Sequence, residues 1–183
     1  IGFAFKDIFE NFFAGIMIMM REKMQLGDVV EVDGILGTVE YISLRETHIR
    51  AFSGELNIMP NAMLFQSPVE IWTDKPKRRF EVVIGVSYDT DLDQAAKISR
   101  EAVESCELVD KDETTYVLAD NFNSSSVDFS VRWWAPSSGA GSALNRDQVI
   151  RAIKAALDRA KIEIPFPYVT HTFKEEVPVI EKA

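Results

Sequence analysis

The spacing of apolar residues changes twice along this chain, and each regime limits what its segment can become. From Ile1 to Arg21 the apolar side chains recur at helical intervals. From Gly27 to Thr73 they alternate in short runs cornered by glycine, and from Arg78 onward strand-like and helix-like runs take turns. At roughly 100° per residue the first segment gathers Lys6, Asp7, Glu10 and Asn11 into one arc, with Phe3 and Ala14 inside it. Phe5, Phe9, Phe12, Phe13 and Ile16 take the other side. A strongly apolar face opposite a sparse charged one suits a boundary between lipid, protein and water, or a helix docked on the domain behind it. The density of phenylalanine and the run Ile16 to Met20 favour the membrane. The charges interrupt what would otherwise be an uncharged span of about 20 residues. Arg21 and Lys23 close the run where basic side chains reach lipid head groups. The abrupt apolar start at Ile1 leads us to expect further protein before it.

The second regime predicts strands at 27–34, 37–44, 47–52, 56–59 and 69–73. Asp33-Gly34 and Ser53-Gly54 supply turns, and Pro60-Asn61 breaks the sheet. Short strands at close spacing with glycine corners predict a small five-stranded barrel of the Sm or SH3 kind. Asp74 to Lys77 reads as a linker. Beyond it, strands are predicted at 78–88, 114–120, 126–134 and 168–173, helices at 91–106 and 145–160, and a loop at 136–142. The order strand, helix, strand, strand, helix, strand is that of a ferredoxin-like sandwich, which makes the whole chain α+β. The alternating tail from His171 to Val179 has no partner strand in this chain, so it frays or pairs with another copy.

Composition excludes more chemistry than it offers. The net charge is -9, and both halves of the chain are acidic, so a phosphate backbone finds no positive field. The two histidines, His48 and His171, fall in different predicted domains and make no metal site. Cys106 ends an amphipathic helix and reads as a small packed side chain. Asp89, Asp91 and Asp93 lack the spacing of a calcium loop and read as helix-capping acids. Trp133 and Trp134, adjacent on a strand, must point to opposite faces, one of them into the core. No converging nucleophile, base or metal set appears, so no enzyme, cofactor or catalytic residue is expected.

Several motifs in this order resemble the small-conductance mechanosensitive channel (MscS) family. They are Asn11 with Ala14-Gly15 at the end of an amphipathic helix, Gly27-Asp28, Gly34 and Gly37-Thr38-Val39, and Pro60-Asn61. Arg78-Arg79, the run Gly85 to Asp91, and Ile164-Pro165-Phe166-Pro167 complete the set. The resemblance covers essentially the whole chain. It implies a pore or interfacial helix at 1–23 (the lower third transmembrane helix), a β domain at 24–74 and an αβ domain at 75–170. A strand of an intersubunit barrel follows at 171–183.

The same resemblance implies a homo-oligomer, a heptamer, in the bacterial inner membrane, with most of this chain on the cytoplasmic side. Such channels open under membrane tension and release ions and small osmolytes during hypo-osmotic shock. Phe3 falls at a pore-sealing position and Asp7 at the family's kink glycine in the pore-lining helix. Gly2 falls at a helix-packing position, Gly15 at a hinge and Asn11 where the helix meets the β domain. Arg21 and Lys23 remain the membrane-interface pair. The competing expectation is a soluble oligomeric Sm-like binding module without channel activity.

Overall fold

The structure, a computed structural model, describes residues 2–21 and 23–169, with backbone alone at 2–4 and 139–140. A long helix, α1 (Gly2–Arg21), leads into β1 (Val29–Val32), β2 (Ile35–Ile42), β3 (Glu46–Ala51) and β4 (Leu56–Pro60). A short helix, α2 (Asn61–Gln66), and a brief β5 (Glu70–Ile71) follow. The second sheet and its helices are β6 (Lys77–Val86), α3 (Leu92–Glu104), β7 (Tyr116–Phe122), β8 (Val127–Pro136) and α4 (Gly139–Arg159).

The first sheet is antiparallel in the order β4-β3-β2-β1-β5. Its first hairpin turns at Asp33 and Gly34, with φ of 49° and 79°. That pair of left-handed residues matches the twist of the flanking strands, and Asp-Gly is the sequence that tolerates it. Val30, Val32, Val39, Ile49, Met59 and Leu64 close the core beneath the sheet, with Ile18 of α1 packed against it. The expected barrel stays open, because β4 and β5 lie at opposite edges of the strand order. The expected strand 69–73 shrinks to Glu70–Ile71. Thr73 diverts the rest: its hydroxyl donates to Asp28 Oδ1 at 2.7 Å and accepts from Val29 N–H at 3.1 Å. Pro60-Asn61 does more than break the sheet, since Asn61 opens α2, a helix that periodicity could not reveal in six residues.

The second sheet runs β6-β8-β7, antiparallel throughout. Alternate residues of β8, from Val127 to Ala135, face α3 and α4 and are all buried. This gives three strands of a ferredoxin-like sandwich. The expected fourth does not form among the described residues. After α4 the chain passes the end of β6, where Ser87 N–H donates to Glu163 C=O, and reaches the β7–β8 turn, where Tyr168 N–H donates to Ser125 Oγ. Tyr168 and Val169 are not strand. The rest of that strand, and the tail at 171–183, lie outside the described residues. The loop expected at 136–142 is shorter, because α4 begins at Gly139: Ser142 N–H already closes onto Ser138 C=O. Asp91 caps α3 by accepting from Gln94 N–H at 3.0 Å, with Asp93 in the first turn.

Trp133 is the largest side chain sealed in this core, stacked on Phe80 at 6.0 Å between ring centroids. Its Nε1–H donates to Asn145 Oδ1 at 2.6 Å, and Asn145 Nδ2 donates to Leu108 C=O at 3.1 Å. One polar residue of α4 thus fixes both the sheet and the α3–β7 loop. Trp133→Phe leaves the Asn145 oxygen buried without a donor, and should cost about 1–3 kcal/mol in urea unfolding followed by circular dichroism. Adding Asn145→Leu should recover part of that loss, because both partners are then apolar.

Candidate functional site

Only a narrow stripe of α1 is covered. Ala14 and Gly15 are buried and Asn11 and Ile18 partly so on one helical face, and Ile16, off that face, is also partly buried. The dense apolar face stays open: Phe9 is 57% exposed, Phe13 61% and Met20 74%. The helix therefore docks through small and polar residues that the period places beside the charged arc, and its phenylalanines point away.

The reason lies in what α1 docks onto. A Cβ on Gly15 would sit 2.3 Å from the Leu44 carbonyl oxygen and 2.5 Å from Asn61 Nδ2, so only glycine lets the helix backbone reach the β2–β3 turn. That turn is held by Asn61. Its Nδ2 donates to Ser43 C=O at 2.8 Å, its Oδ1 accepts from Thr47 Oγ1–H at 2.8 Å, and its backbone N–H donates to Arg45 C=O at 2.9 Å. Thr47 and Asn61 are both fully buried, so each bond replaces one that water cannot supply. Ser43 completes the turn by donating to Glu46 C=O and accepting from Glu46 N–H.

Asn11 joins the helix to this network. Pro60, the residue before α2, has no side chain with which to cap it. Asn11 Oδ1 takes that place, accepting from Ala62 N–H at 2.9 Å, while its Nδ2 donates back to Asp7 C=O at 2.8 Å. At the other end of α2, the Arg21 guanidinium lies 5.1 Å from the Phe65 ring. α2 is thus gripped by α1 at both ends.

Of the residues singled out from sequence, Asn11 and Gly15 meet at this joint. Asp7 sits one turn earlier, beside Ile8, Arg45, Glu46, Ile58 and Pro60 in an open recess of mixed polar and apolar lining. α1 runs unbroken through both Asp7 and Gly15. Lys23 is exposed just beyond the helix. Gly2 and Phe3 stand in its first turn, and the Phe3 side chain lies outside the described residues. Sequence reasoning missed Asn61, Thr47 and Ser43 as a unit. The Pro-Asn pair was visible, but its amide reaches partners that only the folded hairpin brings within range.

Elsewhere the chemistry is quiet. Among the described residues no cluster of three or more His, Cys, Asp and Glu is placed to hold a metal ion. His48 Nε2 lies 3.1 Å from Glu46 Oε1, with its ring beside Tyr41. Burial pushes the Cys106 thiol up, which disfavours the thiolate. Among the described residues no helix is long and apolar enough to cross a membrane.

Comparison with known proteins agrees with this geometry. Residues 7–74 match the family model described as "Mechanosensitive ion channel, beta-domain", and residues 80–164 match "Mechanosensitive ion channel MscS, C-terminal". An uncharacterised MscS family protein of Archaeoglobus fulgidus is 32% identical over 97% of this chain and 62% of its own length. A small-conductance mechanosensitive channel of Helicobacter pylori is 32% identical over 91% of this chain and 60% of its own. The chain thus spans less than two thirds of these relatives. The crystal structure of Helicobacter pylori MscS in its closed state superposes with a TM-score of 0.87 at 31% identity, covering 95% of this chain and 68% of that one. Arabidopsis thaliana MSL1 shares the fold at 16% identity, with a TM-score of 0.76, over 90% of this chain and 61% of its own.

Gly15→Ala forces a methyl group into the Leu44 carbonyl, so α1 must lift from the turn. We expect a loss of about 1–3 kcal/mol in stability. Hydrogen exchange by mass spectrometry should show faster exchange in α2 and the β2–β3 turn, with β6 to α4 unchanged.

Proposed function

The chain belongs to the MscS family of mechanosensitive ion channels, and on that premise we propose that it is the lower pore helix and cytoplasmic part of a channel opened by membrane tension. Residues 1–23 form the lower third transmembrane helix, 24–74 a β domain and 75–170 an αβ domain. Residues 171–183 supply one strand of a barrel between subunits. The assembly is a homo-heptamer in the bacterial inner membrane, with most of this chain on the cytoplasmic side. Opening lets ions and small osmolytes leave during hypo-osmotic shock.

The observation that carries this reading is the open face of α1. Phe5, Ile8, Phe9, Phe12, Phe13 and Met20 are exposed together on a helix held to its own sheet by a narrow stripe. An apolar face of that extent calls for cover from other chains or from lipid. Copies of α1 packed around an axis supply such cover. Gly2 lets neighbouring helices approach, Phe3 seals the pore by excluding water, and Asp7 lines it. Gly15 gives the bend and Asn11 carries helix movement into the β domain. Arg21 and Lys23 meet the lipid head groups. Tension favours whichever ring occupies more membrane area, so gating is a shift between two packings of this helix.

The test is the full-length protein in a bacterial strain stripped of its own mechanosensitive channels. Excised patches should carry a tension-activated current, and cells should survive osmotic downshock. Phe3→Ser should pass current at tensions where the parent is silent. Patches without tension-activated current, despite membrane-inserted protein, overturn the reading.

A further inference from the structure

The connection between the two sheets is five residues, Trp72 to Pro76, and most of it is already tied down. On one side, Trp72 N–H donates to Val29 C=O at 2.8 Å and Thr73 is bonded to Asp28 and Val29. On the other, Ser137 N–H donates to Pro76 C=O at 3.0 Å, Ser137 Oγ–H donates to Lys75 C=O, and Lys77 Nζ lies 2.7 Å from Asp110 Oδ2. What remains is a short hinge around Asp74, exposed to solvent. Left to itself, such a hinge would let the two modules swing, since relative motion is the default where an interface is small.

Across this hinge lies Arg78. Its side chain shares the face of β6 that carries Phe80, at the end of the strand nearest the connection. The guanidinium lies 3.6 Å from the Trp72 ring centroid and 5.3 Å from that of Phe80. Its Nη1 is buried without a hydrogen-bond partner, so ring stacking and charge, and no hydrogen bond from that atom, hold it there. The charge has a counterpart. Glu31 and Glu70 are directly opposed on β1 and β5, a like-charge pairing that destabilises a two-strand contact. Burial is the larger influence on the Arg78 guanidinium and pushes its pKa down, and the Glu70 and Glu31 carboxylates offset only part of that. The residue just after β5 therefore presents an aromatic ring, and the three-stranded sheet brings a planar cation that lies over it.

We propose that Arg78 is the positioning residue that locks the orientation of the two modules, through the stack of its guanidinium on Trp72. A planar, permanently charged guanidinium is needed, so lysine is not equivalent. This inference stands whether or not the chain conducts ions.

The test is the distance between the modules in the full chain. Spin labels at Ser53→Cys and Arg100→Cys, in a Cys106→Ala background and diluted into unlabelled chains, report it by pulsed electron resonance. The parent should give one narrow distribution. Trp72→Leu should broaden it about twofold, Trp72→Phe should leave it near the parent, and Arg78→Lys should fall between. Equal widths for the parent and Trp72→Leu, with unchanged circular dichroism, overturn the proposal. Should Trp72→Leu lose its fold, the Arg78→Lys chain decides: a width equal to the parent's overturns the lock, and a broader one supports it.

Discussion

Everything at the front of this molecule depends on one close approach, the backbone of α1 at Gly15 against the Leu44 carbonyl. A helix can come that near to a turn only where it carries no side chain, and the turn can hold still only because Asn61 binds Ser43, Arg45 and Thr47 from within the core. Asn11 then fastens the same helix to α2 by capping Ala62 N–H. The contact is polar, short-range and fully satisfied, which makes it geometrically specific. It is also narrow, so the phenylalanine face of α1 is left free for other surfaces.

That division of labour accounts for the odd chemistry of α1. Its phenylalanines are not core residues of this chain, and Asn11, Ala14, Gly15 and Ile18 are the ones that dock. On the proposed reading, this helix stays attached to its β domain while its other face is available for packing that can change. A wide hydrophobic seam to its own sheet would fix the helix in one place. A stripe of Asn11, Ala14, Gly15 and Ile18 fixes the register and leaves the rest open. The second module is attached by a different means, with a cation and an aromatic ring laid across a short hinge.

Much of the plan was legible in the chain because it rests on local rules. Alternation from Gly27 onward marks the first four strands, and Asp33-Gly34 marks the turn that its positive φ values require. The period of α3 and its Asp91 cap follow from residues a few positions apart. The misreadings share one cause. α2 is too short to show a period, β5 ends where the Thr73 side chain takes over from the backbone, and α4 starts within a glycine- and serine-rich stretch that propensity assigns to a loop. Of the expected strand at 168–173 only Tyr168 and Val169 lie among the described residues, and these two are not strand.

The sequence by itself determined the periods, the turns, the acidic charge and the family motifs, and with them the α+β class and the channel resemblance. It marked Asn11, Gly15 and Pro60-Asn61 as positions of interest. Only the tertiary structure decided which face of α1 is buried, and that Asn61, Thr47, Ser43 and Asn11 form one network. It alone brought Arg78 over Trp72. The physical reason is range: propensity and periodicity act over a few residues, whereas a buried amide or guanidinium is satisfied by whatever the fold brings to it from far along the chain.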